Sequence, residues 1–218
     1  MRKGIVCLAA TLVLIGSLQT QGAVYFSPDQ TLISSMSKTW DAANTTSEIP
    51  TKELIDGAVR FSAKLQYGDG TGDGWAAQGI GYQWPPPAAL QDLSGYDGYA
   101  LSFLNTNNSS WFVNLYINTG WTDPPYNEED NFYENGWVEL LPGVSTTIIL
   151  DFADLGVAHL NHVSNIGFQV GGNMDEFPSY SPDNPSNPDT YHIDVTPIPE
   201  PVMLVLLSLG GMMIRLKK

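Results

Sequence analysis

The chain has 218 residues, of which 43% are hydrophobic and 15% charged, and a formal net charge of −14. Between Val24 and Thr196 the only cations are Lys38, Lys52, Arg60 and Lys64, set against every acidic residue of the chain except Glu200. A surface this acidic repels phosphate backbones and anionic lipid, which excludes nucleic-acid binding by this region. The single cysteine, Cys7, lies near the start, so thiol catalysis, internal disulfides and Cys-ligated zinc are excluded from everything after it.

In chain order, Met1-Arg2-Lys3 is a basic opening, residues 5–18 are an apolar run, and residues 19–23 offer small side chains for cleavage after Gly22 or Ala23. That is the layout of a secretory signal peptide over residues 1–23. Residues 24–197 then have the size of one domain. Val59, Phe61, Ala63, Leu65 and Tyr67 alternate with Arg60, Ser62, Lys64 and Gln66, the period of a half-buried strand. Next comes Gly68-Asp69-Gly70-Thr71-Gly72-Asp73-Gly74, where Asp69 and Asp73 place carboxylates in a flexible loop suited to a hard cation such as calcium. The twelfth position counted from Asp69 is Ile80, where an EF-hand needs Glu, so the loop is either a calcium loop of another kind or an ion-free Gly-Asp turn.

Further strands are expected over residues 75–84, over Tyr99, Leu101 and Phe103, and over residues 111–118. In the last of these Trp111, Val113, Leu115 and Ile117 form the inward row, which turns Phe112, Asn114, Tyr116 and Asn118 outward. Residues 137–141, 146–152, 163–170 and 190–195 complete the set, with Gln169 outward between Gly167 and Gly171. Turn signals such as Asp97-Gly98, Pro142-Gly143 and Gly171-Gly172 bound them. Short helical turns are expected near residues 88–93 and 151–155. Frequent Gly and Pro with many short strands predict an all-β sandwich.

Outward amides and a tyrosine suit a sugar, because an aromatic face covers the C–H side of a pyranose while amides exchange hydrogen bonds with hydroxyls. Asn114, Tyr116, Asn118 and Gln169 are therefore candidate carbohydrate contacts, joined by Trp121 from the loop Gly120-Trp121-Thr122-Asp123-Pro124-Pro125-Tyr126. The alternative is an ordinary solvated β face. Trp40, Trp75 and Trp137 are expected to close the ends of the core. His159 and His162 have no third ligand nearby in sequence, and no nucleophile or phosphate-loop motif is present, so no enzyme is expected.

The chain closes on Pro199-Glu200-Pro201, an apolar run of thirteen residues from Val202 to Ile214, and a basic tip containing Arg215, Lys217 and Lys218. These three parts, in this order over residues 198–218, resemble the PEP-CTERM sorting segment of Gram-negative bacteria. The resemblance implies that Pro199, Glu200 and Pro201 are the sorting motif and that a membrane-embedded exosortase cuts near it. Arg215, Lys217 and Lys218 would hold the segment on the cytoplasmic side of the inner membrane. Thirteen apolar residues fall short of the roughly twenty of a full span, which suits a transient anchor.

A second resemblance rests on Asp92-Leu93-Ser94-Gly95-Tyr96-Asp97-Gly98-Tyr99-Ala100-Leu101-Ser102-Phe103, on Ile148-Ile149-Leu150-Asp151-Phe152, on Val163-Ser164-Asn165-Ile166-Gly167-Phe168-Gln169-Val170 and on Tyr191-His192-Ile193-Asp194-Val195. These landmarks are similar to galactose-binding-like jelly rolls of carbohydrate-binding modules. The resemblance implies a jelly-roll sandwich and a structural calcium near the chain ends, with Asp194 as one ligand and Asp29 or Asp41 as another. The expected function is an exported cell-surface or extracellular-matrix protein whose non-catalytic domain binds extracellular polysaccharide. A matrix protein without a specific ligand and a divergent polysaccharide-degrading enzyme are the alternatives.

Overall fold

The computed structural model describes residues 23–42, 45–67, 75–82, 85–120, 131–173 and 190–198, with the backbone alone for residues 45, 46, 66, 67, 75 and 173. Residues 1–22, the candidate calcium residues Asp69 and Asp73, Trp121, the sorting motif Pro199, Glu200 and Pro201, and the tip residues Arg215, Lys217 and Lys218 lie outside the described residues. Among the described residues no helix is long and apolar enough to cross a membrane.

The elements are β1 (Tyr25–Phe26), helix α1 (Gln30–Ser35), β2 (Ser37–Asp41), β3 (Thr45–Ser47), β4 (Thr51–Ile55), β5 (Ala58–Tyr67) and β6 (Trp75–Gly81). A 3-10 turn (Ala88–Leu90) precedes β7 (Gly98–Asn105), β8 (Trp111–Thr119), β9 (Asn131–Glu134), β10 (Val138–Leu140), β11 (Ser145–Asp151), β12 (Val163–Asn173) and β13 (Thr190–Thr196). The first sheet is built on β7, β13 and β5. β11 pairs with β7 from Gly98 to Leu104, β1 joins the start of β7 in parallel, and β4 and β3 pair with β5. The second sheet runs β10-β8-β12-β6-β2, with β9 also paired to β8. From β5 onward the long strands cross repeatedly from one sheet to the other, so the architecture is an all-β jelly-roll sandwich.

The core lies where the inner rows meet. Phe168 of the second sheet makes edge contacts with Phe61 and Phe103 of the first, at centroid distances of 5.4 and 5.3 Å, and Trp111 meets Tyr191 at 5.6 Å. Trp111, Val113, Leu115 and Ile117 are all buried in this layer, as their alternation predicts. Gln78 is a fully buried polar residue on the inner row. Its amide accepts from the Tyr191 hydroxyl and donates to Ser47 Oγ and to the Glu48 carbonyl, so nothing on it is left dry and unpaired.

The N-terminal third holds most of what alternation did not reveal. α1 is capped by Asp29, whose carboxylate accepts from Leu32 N at 2.8 Å, but its six residues are too few for a periodic signal. β4 and β5 form a hairpin on Asp56-Gly57, with φ of 44° and 84°, the left-handed pair that a two-residue type I′ turn requires. Residues 151–155 make a hydrogen-bonded turn rather than a helix. The Asp151 carboxylate accepts from Ala153 N and Asp154 N, which satisfies those donors locally and favours the turn.

Candidate functional site

Cross-strand register places the outward residues of the second sheet in rows. Asn114 of β8 pairs with Gln169 of β12, which pairs with Gly79 of β6; Tyr116 pairs with Gly167, which pairs with Gly81. Asn118 pairs with Asn165 beyond a bulge at Val163 to Asn165. Asn114, Tyr116, Asn118 and Gln169, named as candidates from sequence alone, therefore do share one face.

Small residues let two aromatics lie down on it. Tyr116 extends across Gly167 so that its hydroxyl sits where a side chain on Gly81 would be. There it is 3.0 Å from Thr39 Oγ1 on β2 and 3.4 Å from Asn165 Oδ1. Burial pushes the Tyr116 phenol well above its ordinary range, and the hydrogen bonds to Thr39 and Asn165 only partly offset this. Trp40 lies over Gly79 in the same way: its indole fills the place a side chain there would take. Trp40 thus belongs to this outer face and not to a core end, because the register of β2 on β6 slips between Lys38 and Trp40 and re-aims the ring.

β9, which sequence periodicity did not reveal, supplies the rest. Phe132 stacks on Tyr116 at 5.8 Å and 27°, and keeps 48% of its own surface exposed. Glu134 Oε2 accepts from Asn114 Nδ2 at 3.0 Å and from Gln169 Nε2 at 3.2 Å. Asn114 and Gln169 are buried while Glu134 is exposed, so an accessible carboxylate is tied to two inaccessible amides. Two acceptors stay unpaired, Asn114 Oδ1 and Asn118 Oδ1, both buried. No Lys or Arg occurs on β6, β8, β9 or β12.

The outer face of the first sheet is organised differently. Asp194 of β13 is bound by Arg60 of β5 in a two-point pair, Nε to Oδ1 at 2.6 Å and Nη2 to Oδ2 at 2.9 Å. That pair, with Glu53 opposite on β4, raises the Arg60 pKa against a smaller opposing effect of burial. Both oxygens of Asp194 are engaged, so a cation placed there would have to displace the guanidinium. Asp29 caps α1, and Asp41 pairs with Lys38 at 2.8 Å and accepts from Ser47 Oγ, so neither stands free beside Asp194. Among the described residues no three His, Cys, Asp or Glu side chains converge as a metal site would need. His162 and His159 bracket a turn, the His162 N–H donating to the His159 carbonyl at 2.8 Å.

The fold defines the molecule as a jelly-roll sandwich with one aromatic and amide face. No protein-family model matches the chain, and no curated protein does. Among solved structures, the chain is similar to the agarase AgWH50C at 10% identity and a TM-score of 0.45, over 80% of this chain and 25% of that one. It is also similar to a family 30 carbohydrate-binding module at 8% identity and a TM-score of 0.36, over 80% of both chains. The chain thus spans about a quarter of the length of the agarase. Likeness this distant decides neither fold nor function, and both rest on the sheets and side chains themselves.

Proposed function

We propose that the sandwich is a non-catalytic module that binds a neutral polysaccharide on the outer face of its second sheet, as part of a protein exported and sorted to the cell surface. The binding reading is carried by the exposed Phe132 ring stacked on Tyr116, on the same short strand as the accessible Glu134 carboxylate. Asn114 and Gln169 are buried behind this surface and act by holding the Glu134 carboxylate in place. Phe132, backed by Tyr116, offers a flat apolar surface to a sugar ring, and Glu134 offers an accessible acceptor linked to both buried amides. The face is rich in acceptors and its strands β6, β8, β9 and β12 lack cations, so it favours uncharged polyols and repels uronic acids and sulfated sugars.

Affinity electrophoresis of the purified protein tests this directly. Gels containing a neutral glucan, galactomannan or agarose are compared with gels containing alginate or polygalacturonate. Saturable retardation by at least one neutral polymer and by neither acidic one is expected. No retardation by any of them would remove the binding reading and leave the role of a hydrated matrix protein. Export rests on the sequence of the two ends, and its check is the mass of the protein recovered from culture, which should show both ends trimmed. An untrimmed chain in the cytosol would contradict it.

A further inference from the structure

We propose that signal-peptide removal cuts the Ala23–Val24 bond, and that the ammonium group so created is captured by the Asp97 carboxylate as a built-in docking point for the mature N-terminus. The inference rests on the export reading for its leader, but the position of the cut comes from the fold. Val24 N lies 2.6 Å from Asp97 Oδ2, and the Asp97 N–H donates back to the Val24 carbonyl at 2.8 Å. The two residues therefore clasp each other at the point where the described chain enters the sandwich.

That point is held from both sides. Tyr25 and Phe26 pair in parallel with Gly98 and Tyr99, and the Tyr25 ring lies against Gly98 where a side chain would come within 2.9 Å of it. Phe26 packs edge-on to Tyr96 at 5.2 Å and stacks on Tyr99 at 6.4 Å. The Asp97 carbonyl accepts from Phe152 N at 2.9 Å, which fixes the acid from the β11 side. Ala23, by contrast, is exposed and lies outside every strand. Of the two cuts the sequence permits, only the one after Ala23 puts the new charge on Asp97. A cut after Gly22 leaves an ordinary amide at Val24 and sets the charge one residue further out.

The step is a hydrolysis. The carbonyl carbon–nitrogen bond between Ala23 and Val24 breaks, water supplies the oxygen of the new Ala23 carboxylate, and the Val24 amine takes up a proton. A hydrogen bond with one charged partner, the carboxylate, thereby becomes an ion pair in which both partners are charged. Such a change stabilises the trimmed chain relative to the untrimmed one, as any interaction made only by the folded processed form does.

The test uses the full-length gene expressed in an exporting bacterium, with N-terminal sequencing of the protein recovered outside the cytoplasm. A first residue of Val24 is expected. A protein trimmed to Ala23 or to any other residue would overturn the inference while leaving export intact, and a retained Met1 would overturn both. The second arm compares Asp97→Asn with the unaltered chain. The substitution should lower Tm by a few degrees in trimmed protein and by clearly less in the untrimmed precursor. Equal losses in the two forms would show that Asp97 holds only a backbone amide and would overturn its role as the acceptor of the mature terminus.

Discussion

The two outer faces of this sandwich are made by the same alternation of strands, yet they end up chemically opposite. On the outer face of the first sheet charged and polar side chains pair with one another: Arg60 clasps Asp194 at two points and Ser62 Oγ lies 2.7 Å from His192 Nδ1. On the second sheet the polar groups are answered only in part. Asn114 Oδ1 and Asn118 Oδ1 have no partner, and Phe132 shows a bare ring above Tyr116. A buried polar group without a partner costs stability, whichever sheet it lies on. Under the proposed binding role it is the accessible Phe132 ring and Glu134 carboxylate that make the second sheet the working face.

The comparison is sharpened first by a change that spares neither face. Phe168→Ala removes the ring that touches both Phe61 and Phe103, and should cost about 4 kcal/mol in urea unfolding. Next, Arg60→Met strips the partner from a carboxylate whose side chain is only 9% exposed. A loss of about 2 kcal/mol is expected, with retardation by neutral polymer unchanged, since the proposed site lies on the other face. Impaired binding at full stability would break the contrast.

Alkaline pH acts on the tyrosines. Burial raises the phenols of Tyr82, Tyr99, Tyr116 and Tyr191 above their ordinary value. The unfolded chain ionises near pH 10 while the folded one does not, so their stabilisation is complete below that pH and lost above it. Each group then gives up about 1.4 kcal/mol per pH unit. Melting curves should therefore be flat up to pH 9 and fall steeply beyond 10. Ionisation of any of these four phenols before unfolding, followed through its own NMR resonance, would contradict the burial of these rings. The smallest stability effect belongs to Glu134→Ala, which leaves the Asn114 and Gln169 amides without their acceptor. It should cost about 1 kcal/mol in stability but weaken polymer binding roughly tenfold, the equivalent of about 1.4 kcal/mol.

What could be read beforehand follows from where the information lies. The period-two pattern from Trp111 to Ile117 is local, so it fixed both the inner row and the outward placement of Asn114 and Tyr116. Gln169 joined them by the same logic on β12. Trp40, Phe132 and Glu134 escaped because β2 and β9 are short, β2 carries a register slip, and neither alternates long enough to show a face. The Asp29 cap and the Asp56-Gly57 turn were legible signals that pattern reading passed over. The Arg60–Asp194 pair joins residues 134 apart in sequence, and no local feature of β5 or β13 announces it. Resemblance alone suggested Asp194 as a cation ligand, and the guanidinium on both its oxygens is a partner that only the sheet register reveals.

Paired affinity electrophoresis of Phe132→Ala and His192→Ala against the unaltered protein, in a neutral polysaccharide that retards the latter, tests the central claim most directly. Both side chains are exposed and sit on opposite sheets, so neither change should alter folding by more than about 1 kcal/mol. Phe132→Ala should run free of the polymer while His192→Ala is held back like the parent. Retardation that survives Phe132→Ala, or that disappears with His192→Ala, would place binding off the second sheet and contradict the claim.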